Sequence, residues 1–262
     1  MAAQINSGNR DIILHYHLFK NAGTSLDYIL KTNFKNRWYT HEGVSMGGGW
    51  QAQAVGDYLL KHPDLVVLSS HTALLPPPKL PNITIYPIIF IRHPLDRIRS
   101  VYRFERKQDA DTAGARMAKE TDLAGYIKWR LGLKGDRAIR NFQTHRLAFA
   151  VPEMIDGQRL NEHERAARAL HELPFVGVVE QFDTSLRRLE AWLKPFFPEI
   201  KFQPQKLNVT QERDLSMEQR LEQIKNEVGA EIFEELQRAN SLDLQLYNSM
   251  ALAAPVLSQR AI

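Results

Sequence analysis

Four short apolar runs, separated by segments of helical period, constrain this chain more than any other feature. They are Asp11-Ile-Ile-Leu-His-Tyr16, Asp64-Leu-Val-Val-Leu-Ser69, Ile83–Arg92 and Pro174-Phe-Val-Gly-Val-Val179. Their apolar residues are consecutive rather than alternate, the pattern of strands buried on both faces. The intervening stretches carry helical spacing: Leu26, Ile29, Leu30 and Phe34 share one face of a helix predicted over Thr24–Phe34. Trp50–Lys61, Pro94–Gln108, Thr121–Leu131, Leu160–Glu172, Thr184–Phe196, Ser216–Val228 and Glu231–Met250 are further predicted helices. Such alternation predicts the α/β class, a P-loop-like three-layer α/β/α arrangement with a central parallel sheet and additional C-terminal helices. The expectation is one domain over 1–262, with 1–10 flexible and 210–250 a helical part.

The connections fall where chain chemistry disfavours regular structure. Thr40–Gly49 ends in three glycines, Leu74–Pro81 contains four prolines, and Asp109–Gly114 reads as a mobile connection. In parallel sheets ligands bind beyond the carboxyl ends of the strands. The residues just after the apolar runs are therefore the functional candidates.

Composition removes several classes. There is no cysteine, which excludes disulfides, thiolate metal sites and a cysteine nucleophile. The formal charge of +4 suits an anionic ligand but makes no case for nucleic acid. The longest apolar run, Ile83–Ile91, contains Pro87 and falls short of the roughly 18 residues a membrane span needs. The first ten residues lack the apolar core of a signal peptide, so no transmembrane segment and a cytoplasmic setting are expected. In that setting the triplets at Asn82 and Asn208 are accidental.

The first run leads into His17-Leu-Phe-Lys-Asn-Ala-Gly-Thr-Ser25 and then directly into a helix. Gly23 would let backbone approach a ligand, the helix start offers free N–H groups, and Lys20 adds a cation. Thr24 and Ser25 suit capping and donation to phosphate oxygens. The order is not that of a Walker A loop, because the lysine precedes the glycine by three positions. Composition alone leaves an ordinary capped helix with a solvated lysine open.

The third run ends in Arg92-His-Pro-Leu-Asp-Arg97, followed by Ser100-Val-Tyr-Arg-Phe104. A cation at the end of a core strand is costly unless it meets a partner, and Arg92 with Ser100 could hold a second phosphate. Asp96 and Arg97 could pair with neighbours, and Arg97, Arg99, Arg103 and Arg106 could form a solvated basic face.

As an ordered pair these motifs resemble a known family. Phe19-Lys-Asn-Ala-Gly-Thr-Ser25 is similar to the Pro-Lys-Thr-Gly/Ala-Gly-Thr-Ser/Thr loop of sulfotransferases that use 3′-phosphoadenosine 5′-phosphosulfate (PAPS). Arg92-His-Pro-Leu-Asp-Arg97…Ser100-Val-Tyr-Arg-Phe104 resembles their Arg-Asp-Pro-x-x-Arg…Ser-x-Tyr-x-Phe segment. By motif the chain is most similar to heparan sulfate 2-O- and 6-O-sulfotransferases and a bacterial group like them. Weaker echoes are Asn141-Phe-Gln-Thr-His-Arg-Leu147, Phe175–Leu186, Leu207–Thr210 and Asp243–Tyr247, so the likeness spans 11–248. Phe19, Asn21 and His93 depart from the usual proline, threonine or serine, and aspartate.

The resemblance implies that Lys20, Asn21, Ala22, Gly23, Thr24 and Ser25 hold the 5′-phosphosulfate, and Arg92 and Ser100 the 3′-phosphate. It also implies a histidine base after the second core strand, where His71 stands. His15 and His17 compete for that role, while His41 and Glu42 could touch the acceptor. The reaction would be in-line sulfuryl transfer to a hydroxyl of a glycan or glycolipid, with Lys20 stabilising charge, no metal, and adenosine 3′,5′-bisphosphate released. The alternatives are a P-loop-type kinase or NTPase and a non-catalytic nucleotide-binding relative. The helix at 231–250 could serve a homodimer.

Overall fold

The structure, a computed structural model, describes residues 9–43, 49–202 and 215–257, with side chains as far as 251. Gly47, Gly48 and Leu207–Thr210 lie outside the described residues, as do residues 1–8 of the expected flexible start. Arg10 belongs to the first strand, and its guanidinium donates to the carbonyls of Leu59, His62 and Leu65.

A five-stranded parallel sheet forms the centre: β1 (Arg10–Tyr16), β2 (Trp38–Thr40), β3 (Val67–Ser70), β4 (Ile83–Ile91) and β7 (Val176–Val178). Two short strands, β5 (Met154–Ile155) and β6 (Gln158–Arg159), form a separate antiparallel hairpin. The order across the sheet is β2-β3-β1-β4-β7. β1 pairs with β3 and β4, placing Tyr16 beside Ser70 and Ile89. The chain moves from β1 toward one edge and later returns to build β4 and β7 on the other side. This reversal opens a crevice at the carboxyl ends of β1 and β4.

Helices cover both faces. Against one lie α1 (Gly23–Phe34) and α8 (Phe182–Leu193), whose Leu26, Leu30, Leu186 and Leu189 pack on Ile13, Ile88 and Phe90. On the other are α2 (Ala52–Lys61), α6 (Phe142–Ala148), α7 (Glu162–Glu172) and α11 (Ser241–Leu257), over Ile12, Leu14, Ile89 and Ile91. Successive β1 residues thus serve opposite cores, which is why its apolar run is unbroken. A third cluster joins α3 (Pro94–Lys107), α4 (Ala113–Glu120), α5 (Leu123–Gly132), α9 (Met217–Val228) and α10 (Ala230–Ala239) through Ile98, Ala118, Tyr126, Ile224 and Leu236.

The α/β class and the three layers match the sequence reading. Several local expectations give way. Trp38–Thr40 is an edge strand that the sequence reading lacked, so Thr40, expected to open a loop, ends a strand. The connection expected over Asp109–Gly114 ends in a helix, because the Thr112 hydroxyl accepts from Ala115 N and caps α4. The helix expected over Glu231–Met250 breaks at Asn240, whose side chain turns inward to bond Ile139 O, Leu236 O and Asn141 N. Among the described residues no helix is long and apolar enough to cross a membrane.

Candidate functional site

A cavity of about 1370 Å³ lies at the carboxyl edge of the sheet. Lys20, Ala22, Gly23, Thr24, Ser25, His71, Arg92 and Ser100 all line it. Of the nine residues singled out by sequence, only Asn21 does not. Its side chain is buried, and its Nδ2 donates to Phe90 O at 2.7 Å and to Gln143 Oε1 at 2.8 Å. Asn21 therefore locks the loop to the sheet instead of forming part of the cradle's surface.

The loop between β1 and α1 is conformationally costly. Lys20 and Ala22 both adopt positive φ, at 65° and 58°. Left-handed backbone costs non-glycine residues roughly 1–2 kcal/mol each. Left-handed residues beside a helix start turn successive N–H groups into a concave anion-binding surface, and the first N–H groups of a helix have no i−4 partner, although here that of Ser25 is taken up by Ala22 O at 3.1 Å. Ala22 occupies the N-cap position with no side-chain cap, so the expected capping by Thr24 or Ser25 is not observed. Gly23 lines the cavity and also has a reason beyond the one expected. Its φ is not left-handed, but a Cβ there would fall 1.9 Å from His17 Cδ2. The glycine makes room for an imidazole.

That imidazole belongs to a network. His17 Nδ1 lies 2.9 Å from Asp27 Oδ2, and His15 Nδ1 lies 2.8 Å from Asp27 Oδ1. Burial works to raise the Asp27 pKa, but the two imidazoles outweigh it and hold the carboxyl far below its usual range. Asp27 is thus an ionised acceptor that draws a proton onto each Nδ1. Burial lowers His17, against the opposing pull of Asp27. The ligand atoms of His15, His17 and Asp27 fall within 4.8 Å of one another, a spacing a metal ion would also accept.

His71 follows β3 and faces the cavity. Its Nδ1 lies 2.9 Å from His17 O, and its backbone N–H donates to the Glu42 carboxylate. Glu42 also accepts from the Ser70 hydroxyl and Thr72 N, so it shapes the turn that presents His71. Partial burial and the nearby His17 lower the His71 pKa, with Glu42 opposing. His41 is placed differently, stacked on Tyr58 with ring centroids 4.3 Å apart.

Arg92 joins the two predicted motifs. It forms an ion pair with Asp96 at 2.6 Å and donates from Nη1 to Lys20 O at 3.0 Å. Asp96 also meets Arg220 of α9 at 3.4 Å. Arg97, by contrast, is fully buried, with its guanidinium over the Phe142 ring and a bond to Ala138 O. His93, where an aspartate was usual, is also buried. It packs edge-on to Tyr247 and its N–H donates to Glu180. Burial pushes its pKa down to about 4.

Electrostatics favour an anion. Seven lysine and arginine side chains line the cavity against the three carboxylates of Asp96, Glu180 and Asp183. Arg99 and Arg103, two of the residues of the expected solvated face, are among them, as is Lys107. Burial, then Arg92 and Lys107, lowers the Lys20 pKa. A cation crowded by like charge gains when an anion arrives. Lys20 Nζ sits 4.7 Å above the Phe104 ring, which Phe19 meets edge-on.

Sequence reasoning missed Asp27 and the roles of Arg220 and of Gln143, which stood in the family-like segment Asn141–Leu147 with no role attached. Asp27 lies on the α1 turn that returns toward the end of β1, and its position one helical turn from Gly23 was the available cue. Gln143 and Arg220 reach the site only through long-range packing.

No family model matches the chain. Over 248 residues it is 38% identical to an uncharacterized protein of Archaeoglobus fulgidus, an alignment covering 92% of this chain and 96% of the archaeal one. Identity at that level over nearly the whole of both chains means that this protein belongs to the same family as the Archaeoglobus fulgidus protein.

Proposed function

We propose that the protein is a sulfotransferase that moves a sulfuryl group from PAPS to an acceptor hydroxyl. The observation that carries this reading is the placement of two cationic half-sites and a neutral imidazole in one cavity. Lys20 and the start of α1 form one half, Arg92 and Ser100 the other, and His71 stands beside them. The residues present fit a nucleotide with two separate anionic groups. Lys20 and Ala22 adopt the left-handed backbone suited to an anion-binding loop, the cations outnumber the carboxylates, and Lys20 is held below its ordinary pKa in a way that a bound anion would relieve.

In this reading Lys20, the N–H groups of Ala22–Thr24 and the hydroxyls of Thr24 and Ser25 hold the 5′-phosphosulfate, while Arg92 and Ser100 hold the 3′-phosphate. The donor, when bound, supplies a sulfuryl group whose S–O bond to phosphate breaks as the acceptor oxygen–sulfur bond forms, leaving adenosine 3′,5′-bisphosphate. His71 Nε2 takes the acceptor's proton. Lys20 and the loop amides meet charge that grows on the leaving oxygens, a preorganised electrostatic contribution. The acceptor we favour is a glycan or glycolipid hydroxyl.

A phosphoryl-transfer enzyme would need a seat for Mg²⁺. Asp11 lies at the amino end of β1, bonded by the Tyr86 hydroxyl, and Asp64 precedes β3, bonded by Tyr39. Both are at the edge opposite the cavity. Thermal-shift titration separates the readings. Stabilisation by adenosine 3′,5′-bisphosphate without Mg²⁺, together with sulfuryl transfer from PAPS, is expected. Stabilisation only by Mg-ATP overturns the proposal, as does binding without transfer to any polysaccharide, lipid or small-alcohol acceptor.

A further inference from the structure

The side chain of Gln143, at the start of α6, is buried among the segments that carry the two half-sites. Its Oε1 accepts from Asn21 Nδ2 at 2.8 Å and from Arg92 N at 2.7 Å. Its Nε2 donates to Arg92 O at 2.8 Å. A single amide thus bonds the residue next to Lys20 and the backbone of Arg92 on both sides. Arg92 Nη1 returns the link by donating to Lys20 O.

Gln143 is itself firmly seated. Asp243 of α11 accepts from Gln143 N at 3.1 Å, from Thr144 N at 2.7 Å and from the Thr144 hydroxyl at 2.7 Å. Asn141 reciprocates, its Oδ1 accepting from Leu242 N and Asp243 N. Each helix start is capped by the other, and a carboxylate suits the positive end of α6. Asn141 has φ of 43°, so with Lys20 and Ala22 it makes three of the six non-glycine residues at positive φ among those described. Half of the strained backbone in the described chain therefore converges on this brace and the loop it holds.

Packing alone would explain a buried glutamine that bonds one neighbour. It does not explain why both oxygen lone pairs and one N–H go to the two segments whose separation defines the site. We propose that Gln143 is a positioning residue that sets the distance between the anion half-sites at Lys20 and at Arg92. The proposal rests on the reading of the cavity as a site for a nucleotide with two separated phosphate-type groups. A ligand that engages both halves gains from the second as an intramolecular event, and that gain depends on fixed spacing. A ligand with one such group gains nothing from it.

The test is calorimetric titration of the full chain with adenosine 3′,5′-bisphosphate and with adenosine 5′-monophosphate, each protein's melting temperature being measured alongside. Gln143→Met removes both acceptor positions at similar volume. It is expected to lose about tenfold or more in affinity for the bisphosphate and less than about threefold for the monophosphate, since buried donors left unpaired let the segments shift. Gln143→Glu keeps both acceptor positions and loses the donation to Arg92 O, so it should fall between. Equal losses for both ligands, or an unchanged preference in either folded variant, would overturn the positioning role. If Gln143→Met does not fold, Gln143→Glu decides by the same criterion. A wild-type protein with no preference for the bisphosphate defeats the nucleotide reading itself, and that result is visible before any substitution is made.

Discussion

The Nδ1 atom of His71 lies 2.9 Å from the carbonyl oxygen of His17, and the two rings face each other with centroids 3.8 Å apart. A carbonyl oxygen only accepts, so Nδ1 carries the hydrogen and the neutral ring keeps its lone pair on Nε2. Partial burial and the neighbouring imidazole make protonation of His71 harder than usual.

The acid limb of kcat/KM for sulfuryl transfer should therefore fall below pH 6.5, the ordinary imidazole value, with the enzyme active above it. His71→Asn retains a donor for His17 O but no base. It should lower kcat by about 10²–10⁴-fold and leave the Kd for adenosine 3′,5′-bisphosphate nearly unchanged. A variant with near-normal kcat would remove His71 from the proton transfer.

Gly23→Ala tests the packing of His17. The new Cβ would stand 1.9 Å from Cδ2 and 2.1 Å from Nε2 of that ring, so the ring must move. Overpacking of this kind costs about 1–3 kcal/mol. The displaced His17 should also loosen His71. Urea unfolding and the imidazole resonances in NMR spectra would register both effects, and an unperturbed His71 signal would contradict the coupling.

His93 predicts a loss of stability in acid. Its folded pKa is about 4, below the unfolded value of 6.5, so the unfolded chain binds more protons between those limits. Stability contributed by neutral His93 is complete above pH 6.5 and declines as pH falls toward 4. The shift corresponds to roughly 3 kcal/mol. His93→Gln should be closest to wild type in stability at pH 4 and furthest below it at pH 7. Parallel pH curves would mean that other groups govern the acid transition.

Charge at the cavity should be visible in salt dependence. Lys20→Met and Arg92→Lys are each expected to raise the Kd for adenosine 3′,5′-bisphosphate by about 10–100-fold. Only Lys20→Met should flatten the dependence on ionic strength, since Arg92→Lys keeps a charge and loses the two-directional grip on Asp96 and Lys20 O. Titration at two salt concentrations distinguishes the cases.

The legible parts of this fold are those specified locally. β1 and β4 stand out because both faces are buried, which forces consecutive apolar residues. β2 is three residues at an edge, two half-covered and one exposed, and Trp38-Tyr-Thr40 carries no such run. α6 is equally hidden. It has seven residues and no side-chain cap of its own, and Asp243 from a distant helix satisfies its first amides. The break at Asn240 leaves no trace in the apolar period, because Asn240 is drawn out of line by Ile139 and Asn141. The cavity followed the same rule. Lys20, Arg92, Ser100 and His71 directly follow or closely trail strands, so topology alone assembled them. Asp27 and Gln143 act on those residues through contacts that no spacing announces.

The mutual capping of α6 and α11 also orders events in time. The ribosome delivers the Lys20 loop early and Asp243 much later, and long-range contacts of this kind form slowly. Until α11 emerges, Asp243 does not hold the start of α6, and the spacing of the two halves rests on the direct links of Gln143, Arg92 and Asn21 alone. A nascent chain therefore carries its charges without a tuned receptor for them. On the nucleotide reading, grip on a ligand would arrive together with the finished molecule, and a ligand would select folded chains over partly made ones.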